Sequence, residues 1–405
     1  MRRSLVCFWL LALILSTLAP AASARPGWKR DLDRIARGRN IGIHVRDEGQ
    51  PLYGWGAGRR RVPASNEKVL LSMAVLDRFD PTTRLRTSAL GRRVTDGVLE
   101  GHLYVVGRGD PSLTSGGSFG PSLPFKPARL SSLARKIKEA GVTRIEGRVV
   151  GVRSYFSHDW WAPGWKSSFP VMYVALPAAL NLNGNLHKGR RIDNPEWRVA
   201  ATLSKRLKSL GVRVGGRPKT KGMPPPSARG LIAKVDSPSL NTLLRYTNRR
   251  SSNFFAEVLG KQLAVGRSGP PSTIHKAAKA IEAWSARHGA RVTARDSSGL
   301  SYANRVSPKA FTRLLAAAEE QPWGERLRLM LPAGGEGTLE DRLRGAHVRA
   351  KTGTLDGIST LSGWVRLSQT KSWAEFSLMS RGMPKHRAVK LEDKIVRLLR
   401  KRARP

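Results

Sequence analysis

Val62-Pro63-Ala64-Ser65-Asn66-Glu67-Lys68-Val69-Leu70 sets a serine and a lysine three positions apart, where a proline-containing loop meets an apolar run. Val69, Leu70, Met73, Ala74 and Leu76 recur at helical spacing, so a helix is expected to open at Ser65. Residues i and i+3 share one helix face, which brings the Lys68 amine to the Ser65 hydroxyl. A serine at a helix start also sits among unpaired backbone N–H groups, which suit a developing oxyanion. Taken alone, the stretch proves little and reads first as a helix N-cap serine with a solvated lysine nearby.

Two later stretches shift that balance. Ser251-Ser252-Asn253 is an S-x-N, and Lys351-Thr352-Gly353 is a K-T-G. In this order the three resemble the motif set of class A β-lactamases and penicillin-binding proteins.

The chain begins with Arg2-Arg3, an apolar run from Leu5 to about Leu18, and Ala22-Ser23-Ala24 as an A-x-A cleavage site. Residues 1–24 therefore read as a secretory signal peptide, because the run is shorter than the roughly 20 residues a spanning helix needs. The single cysteine, Cys7, lies inside it, so the mature chain has no disulfide framework and no cysteine zinc site. The protein is expected to be exported to the periplasm or cell wall, soluble or peripherally attached. Its 405 residues allow two or three domains. The 40% hydrophobic content and 11 Trp mark a globular chain.

The formal charge is +43. Its basic residues are scattered, with no basic-aromatic cluster and no nucleic-acid motif, so no nucleic-acid partner is expected. Anionic envelope polymers or lipid headgroups are the partners such a charge suits. An arginine-biased composition without a partner is the alternative.

Along the chain, 41–57 reads as a hairpin. Leu85, Thr87 and Ala89 alternate weakly. Asp96-Gly97 is a hairpin turn, with His102 to Val106 as the returning strand. Leu130 to Ile137 and Ala200 to Leu210 read as helices stopped by Gly141 and Gly211. The strands Ile145 to Val152 and Val212 to Val214 follow them. The Arg108-Gly109-Asp110 tripeptide is an ordinary loop. Tyr155 to Trp165 is either a contact loop or a packed tryptophan corner. Ser251-Ser252-Asn253 separates two helices. Arg349 to Thr354, Thr360 to Leu367 and Ser372 to Met379 read as antiparallel strands, and a basic amphipathic helix from Lys385 packs on the sheet.

With these residues in view, the chain resembles the D-alanyl-D-alanine carboxypeptidase/endopeptidase (peptidase S13) family of low-molecular-mass penicillin-binding proteins. The likeness runs from about Gly42 to Gly382. It includes Gly107 to Leu113, Ser157-His158-Asp159, Ala162 to Trp165, Ser251 to Glu257, Asp296 to Ser301 and Ala350 to Gly363. It implies an α/β (α+β) fold: a helix-flanked antiparallel sheet of the transpeptidase type, with small α+β domains inserted. Residues 25–82 and 235–405 would form the catalytic domain and 83–234 the insert.

The resemblance implies a serine peptidase acting on peptidoglycan stem peptides, with β-lactam antibiotics as inhibitors and no cofactor or metal. Ser65 would be the nucleophile and Lys68 its base, held neutral by burial and by the Lys351 cation. Ser251 would relay a proton, and Asn253 would orient the substrate amide. Lys351 and Thr352 would hold the terminal carboxylate, and Gly353 would let the backbone approach. The Ser65 and Thr354 N–H groups would form the oxyanion hole. Tyr302 and Asp356 stand where relatives carry arginine and glutamine, and both are expected near the substrate side chain. Asp159 is expected to meet an amine of the stem peptide, or else to cap the turn before Trp160. A β-lactamase and a non-catalytic basic wall-binding protein are the alternatives.

Overall fold

The computed structural model describes residues 26–404, so the leader, its cleavage site and Cys7 lie outside the described residues. A five-stranded antiparallel sheet carries the fold. Its order is Val348–Leu355, Ile358–Arg366, Trp373–Arg381, Ile41–Asp47 and Gln50–Trp55. The first hairpin turns at Glu48-Gly49, whose φ values of 46 and 79 suit the right-handed twist of paired strands. Gln50-Pro51 already belongs to the returning strand, which Pro51 can enter because it is an edge strand.

The sheet is buried on both faces. On one side Ile43, Phe376, Leu361 and Val365 pack beneath Gly27–Ala36 and Lys385–Arg402. The latter helix turns Ala388, Ile395, Val396 and Leu399 inward, as its apolar spacing requires. Gly27–Ala36 is a helix missing from the sequence reading, although Trp28, Leu32 and Ile35 are spaced for one. On the other side Trp364 and Met379 join the larger core. The helices Glu67–Arg78, Leu240–Arg249, Asn253–Ser268, Ile274–Arg287 and Pro308–Glu319 supply the rest of that core. Glu67–Arg78 lies at its centre and is buried from Glu67 to Leu76. A helix apolar on all sides is stable only when surrounded, and this one takes Glu67 and Lys68 inside with it.

The segment between Arg84 and Ser239 builds two larger sheets and a two-stranded ladder of Leu186–His187 with Arg190–Arg191. One has the order Lys219–Lys221, Val149–Val152, Leu103–Gly107, Arg84–Gly91 and Gly230–Ser239. The other pairs short strands in the order Arg213–Val214, Arg144–Ile145, Val98–Leu99 and Val94–Thr95. The returning strand of the Asp96-Gly97 turn is therefore Val98–Leu99, while Leu103–Gly107 crosses to the neighbouring sheet. The expected Ile145 to Val152 strand splits the same way, because residues 146–148 step between sheets. The boundary expected at 234 falls inside the strand Gly230–Ser239, which runs straight into the helix at Leu240. Leu130–Glu139 and Pro195–Ser209 pack together over a shared core. Asp110 is buried and accepts from the Ser112 amide and hydroxyl, which is loop closure as expected.

Candidate active site

Ser65 lies one step ahead of its expected place. It occupies a 3-10 turn, Ala64–Asn66, and the α-helix begins at Glu67. Ala64 enters that turn at φ 47, a left-handed conformation that costs a non-glycine residue roughly 1–2 kcal/mol. The surroundings hold it there. Asn66 Nδ2 donates to Ser362 Oγ at 2.7 Å, and Thr360 Oγ1 donates to the Pro63 carbonyl at 2.9 Å. Gly353 lets the Lys351 strand lie flat against the turn: a Cβ there would stand 2.9 Å from Pro63 O and 3.0 Å from the Ser65 amide nitrogen. Gly299 does the same from the opposite side, where a Cβ would meet the Ala64 carbonyl oxygen at 1.9 Å.

Lys68 Nζ donates to Ser65 Oγ at 3.0 Å and to Asn253 Oδ1 at 2.8 Å, with the Ser298 carbonyl as its third acceptor. Three acceptors suit an ammonium. They also suit a neutral amine that donates twice and accepts once, from the serine hydroxyl. The side chain is 0% exposed. Burial brings Lys68 down from 10.5 to about 8, opposed by Asp296, Glu257 and Glu67.

Lys351 is equally buried, and its Nζ donates to Ser251 Oγ at 2.9 Å and to the Thr352 carbonyl at 2.8 Å. It lies well below the ordinary lysine value, first through burial and then through the charge of Lys68. Burial is thus the leading cause for both lysines, and for Lys68 the expected burial effect is present. Ser251 sits at φ 54, and Asn253 opens the next helix, with Nδ2 donating to the Tyr173 carbonyl at 3.1 Å. Thr352 Oγ1 bonds Thr338 Oγ1 at 2.8 Å, and Thr354 is exposed on the same strand.

Ser65, Lys68, Ser251, Asn253, Lys351, Thr352, Gly353 and Thr354 thus converge around one point. Tyr302 and Asp356 meet at its rim. The Tyr302 ring stacks on Phe169, its hydroxyl reaches the Asp356 carbonyl at 3.4 Å, and Lys166 Nζ stands 3.2 Å from Asp356 Oδ2. The Asp356 side chain is 84% exposed.

Asp159 needs correction. It is not a free carboxylate awaiting an amine: its Oδ1 pairs with Lys261 Nζ at 2.7 Å, and its Oδ2 accepts from the Ile274 amide at 2.7 Å. Lys261 is 0% exposed, so this pair neutralises a buried charge and ties the 155–165 loop to two helices. Trp165 packs inside and donates to Asp296 Oδ2 at 2.7 Å, while Trp161 is 50% exposed, so the loop is packed at Trp165 and open at Trp161.

Several groups escaped the sequence reading. Glu257 Oε1 accepts from the Ser297 and Ser298 amides at 3.1 and 2.8 Å and so aims the Ser298 carbonyl at Lys68. Burial and nearby Asp296 raise Glu257 to about 8, and burial raises Glu67 well above the carboxyl range. Glu257 lies four residues after Asn253 on one helix face, and that spacing was the available signal. Ser298 lies in the Asp296 to Ser301 stretch of the likeness, and Lys166 had no signal.

The fold resembles that of penicillin binding protein 4 (dacB) from Haemophilus influenzae, with a TM-score of 0.79 and 22% identity over 92% of this chain and 99% of that one. A carboxypeptidase of Mycobacterium tuberculosis is 30% identical over 75% of this chain and 67% of its own length. Carboxypeptidase DacB of Mycolicibacterium smegmatis is 30% identical over 87% of this chain and 76% of its own. The model of the D-Ala-D-Ala carboxypeptidase 3 (S13) family matches residues 30–190 and 185–402, and with these relatives it places the chain in that family.

Proposed function

We propose that the chain is a serine-type D-Ala-D-Ala peptidase of peptidoglycan stem peptides, acylated at Ser65 by substrate and by penicillin. The observation that carries this reading is the contact of Lys68 Nζ with Ser65 Oγ at 3.0 Å, inside a site assembled from all three motifs.

In this mechanism Ser65 Oγ attacks the carbonyl carbon of the penultimate D-alanine, and its proton passes to the Lys68 lone pair. The C–N bond breaks. The leaving amine takes a proton relayed through Ser251, whose hydroxyl touches Lys351. Water then attacks the acyl-enzyme and frees Ser65. The Ser65 and Thr354 amides receive the oxyanion, a role the missing Cβ of Gly353 leaves room for. Asn253 orients the substrate amide.

Only neutral Lys68 can act as the base. With a value of about 8, roughly a tenth of the molecules are ready at pH 7. A terminal carboxylate bound at Lys351 and Thr352 would meet the Lys351 side chain, which donates to Ser251 Oγ in the free site.

Intact-mass analysis after incubation with penicillin tests the assignment. One adduct mapping to Ser65, absent in Ser65→Ala, is expected. An adduct that survives the substitution would sink it. Rapid turnover of penicillin in place of a lasting adduct would favour a β-lactamase.

Export fits the leader sequence, and no described helix is long and apolar enough to cross a membrane. The net charge of +43 supports adsorption to anionic envelope polymers. Such binding should weaken with salt, because exposed charges are screened beyond about 10 Å at roughly 0.1 M. Co-sedimentation with wall material that is indifferent to salt would contradict it.

A further inference from the structure

We propose that the arginine-lined pocket at one end of the central sheet, behind the Ser65 turn, is a binding site for a phosphate group, free or at the end of a phosphomonoester. The site is separate from the reaction centre and does not depend on the peptidase reading.

The pocket has a volume of about 70 Å³. A cavity needs roughly 10–15 Å³ to hold one water-sized group, so this one takes about five, the heavy atoms of a single phosphate. It is too small for a peptide or an acyl chain. Its lining contains Arg59, Arg60, Arg61, Arg305 and Arg381, and no carboxylate. Three segments distant in sequence bring these arginines together. None of Ser65, Lys68, Ser251, Asn253 and Lys351 lines it. Val62 and Ile358, which do, pack with Ala64, so the pocket backs onto the Ser65 turn.

The cations lack counter-ions. Among the described residues, none of the five arginines has a carboxylate within salt-bridge distance. Glu282 is the acid whose charge reaches Arg60, and Lys279 at 2.8 Å and Arg295 at 3.3 Å already hold it. Neutral acceptors fix three of the five. Arg61 Nη1 donates to Asn40 Oδ1 at 2.6 Å. Arg60 Nη2 donates to Thr293 Oγ1, and also to the Arg305 carbonyl at 3.3 Å. Arg305 Nη1 donates to the Tyr302 and Asn304 carbonyls at 2.5 and 2.8 Å. Gly42 makes room for the Arg61 guanidinium, since a Cβ there would stand 2.7 Å from its Nε. The Nε atoms of Arg60 and Arg61 are buried without an acceptor. The forks are thus held in place with donors unspent.

Holding them so is costly. Burial, and then the charge of Arg59, push Arg61 below the ordinary arginine value. Burial, Arg291 and Arg305 do the same to Arg60. An anion among these cations reverses that cost. Phosphate suits the arrangement better than a carboxylate does. A carboxylate offers two oxygens, whereas a terminal phosphate offers three strong acceptors, spread so that forks from different directions can share them. Arginine forks also bind phosphate oxygens in pairs, which adds both energy and geometry.

The test is calorimetric titration with inorganic phosphate at constant ionic strength, in buffer free of other oxyanions. Arg59 and Arg381 are exposed, so Arg59→Gln, Arg381→Gln removes charge without opening the core. Arg206→Gln, Arg213→Gln removes the same charge from exposed positions of the inserted segment and serves as control. Unfolding in phosphate-free buffer should give all three proteins similar Tm values. Wild type should bind one phosphate per chain and gain Tm with it. The Arg59, Arg381 variant should bind about tenfold more weakly, and the control should stay within about twofold. Two competitors identify the source. Displacement by glycerol phosphate assigns the site to soluble phosphomonoesters. Binding to phosphatidic acid vesicles but not to phosphatidylcholine vesicles, lost in the Arg59, Arg381 variant alone, assigns it to a lipid headgroup. Displacement by neither leaves free phosphate as the ligand. Absence of saturable phosphate binding to wild type overturns the site, and so does undiminished binding in the Arg59, Arg381 variant. Equal weakening in both double variants overturns it too, and leaves diffuse adsorption through net charge as the account.

Discussion

Residue 353 faces Ser65 so closely that a Cβ on it would stand 3.0 Å from the Ser65 amide nitrogen. The same Cβ would meet Thr360 Oγ1 at 2.2 Å, and that hydroxyl bonds the Pro63 carbonyl at 2.9 Å. One absent methyl group thus permits both the approach of the Lys351 strand and the bond that fixes the Ser65 turn.

Gly353→Ala should therefore damage catalysis more than folding. Overpacking of a tight core typically costs about 1–3 kcal/mol. Disturbing an oxyanion donor costs roughly 100- to 1,000-fold in rate. A fall of about a hundredfold in penicillin acylation, with a Tm lower by a few degrees, is expected. Wild-type acylation in this variant would show that the contact is unimportant.

The acylation rate should rise with pH. Lys68 is a base only when neutral, and its value of about 8 sets the midpoint. Below that value the neutral fraction grows about tenfold per pH unit, and above it the rate should level off. Lys68→Arg keeps the charge at every pH of interest. It should lose at least about a hundredfold, the lower end of general-base effects. Stopped-flow acylation across this range is the measurement, and a flat profile would remove Lys68 from the role of base.

Asp159→Asn should act on stability, not on substrate choice. It strands Lys261, which retains the Ser157, Asp159 and Pro177 carbonyls as acceptors. Removing one partner of a buried pair costs about 3–5 kcal/mol, and those acceptors together with partial exposure of Asp159 reduce this to roughly 2. Denaturant unfolding should report that loss. Activity on peptides with a free side-chain amine and with an acetylated one should fall equally. A selective loss on the free amine would restore Asp159 to the substrate.

The difference between Ser65 and Asp159 shows what the sequence made legible. Ser65 and Lys68 are three apart on one turn, so their contact is local and readable. The strands from Val348 to Arg381 were readable because each alternates or runs apolar between turn residues. Lys261 and Asp159 lie 102 positions apart, and no local pattern encodes a partner at that distance. The Ser298 group that matters is a backbone carbonyl, so it carries no side-chain signature. The strand at Ile145 was misjudged for a related reason: an apolar run records burial but does not say where a chain passes from one sheet to the next.

Glu257 supplies the last prediction, because its carboxyl holds the peptide that holds Lys68. Its Oε1 takes two backbone N–H groups, and the Ser298 carbonyl they position accepts from Lys68. Glu257→Ala removes that support and should slow acylation by about tenfold or more, since two buried amides lose their acceptor. Glu257→Gln keeps an acceptor oxygen in place, so its acylation should remain close to wild type. The two variants should also separate in their pH dependence. Glu257 has an ordinary value of 4.5 and a folded value of about 8, so the folded state holds the proton more tightly. Its contribution to stability is full below about 4.5, declines as pH rises, and is lost above about 8. Glutamine does not titrate. Urea midpoints of Glu257→Gln should therefore fall less steeply than those of wild type between those limits. Parallel midpoint curves for wild type and Glu257→Gln would mean that Glu257 is already ionised in the fold.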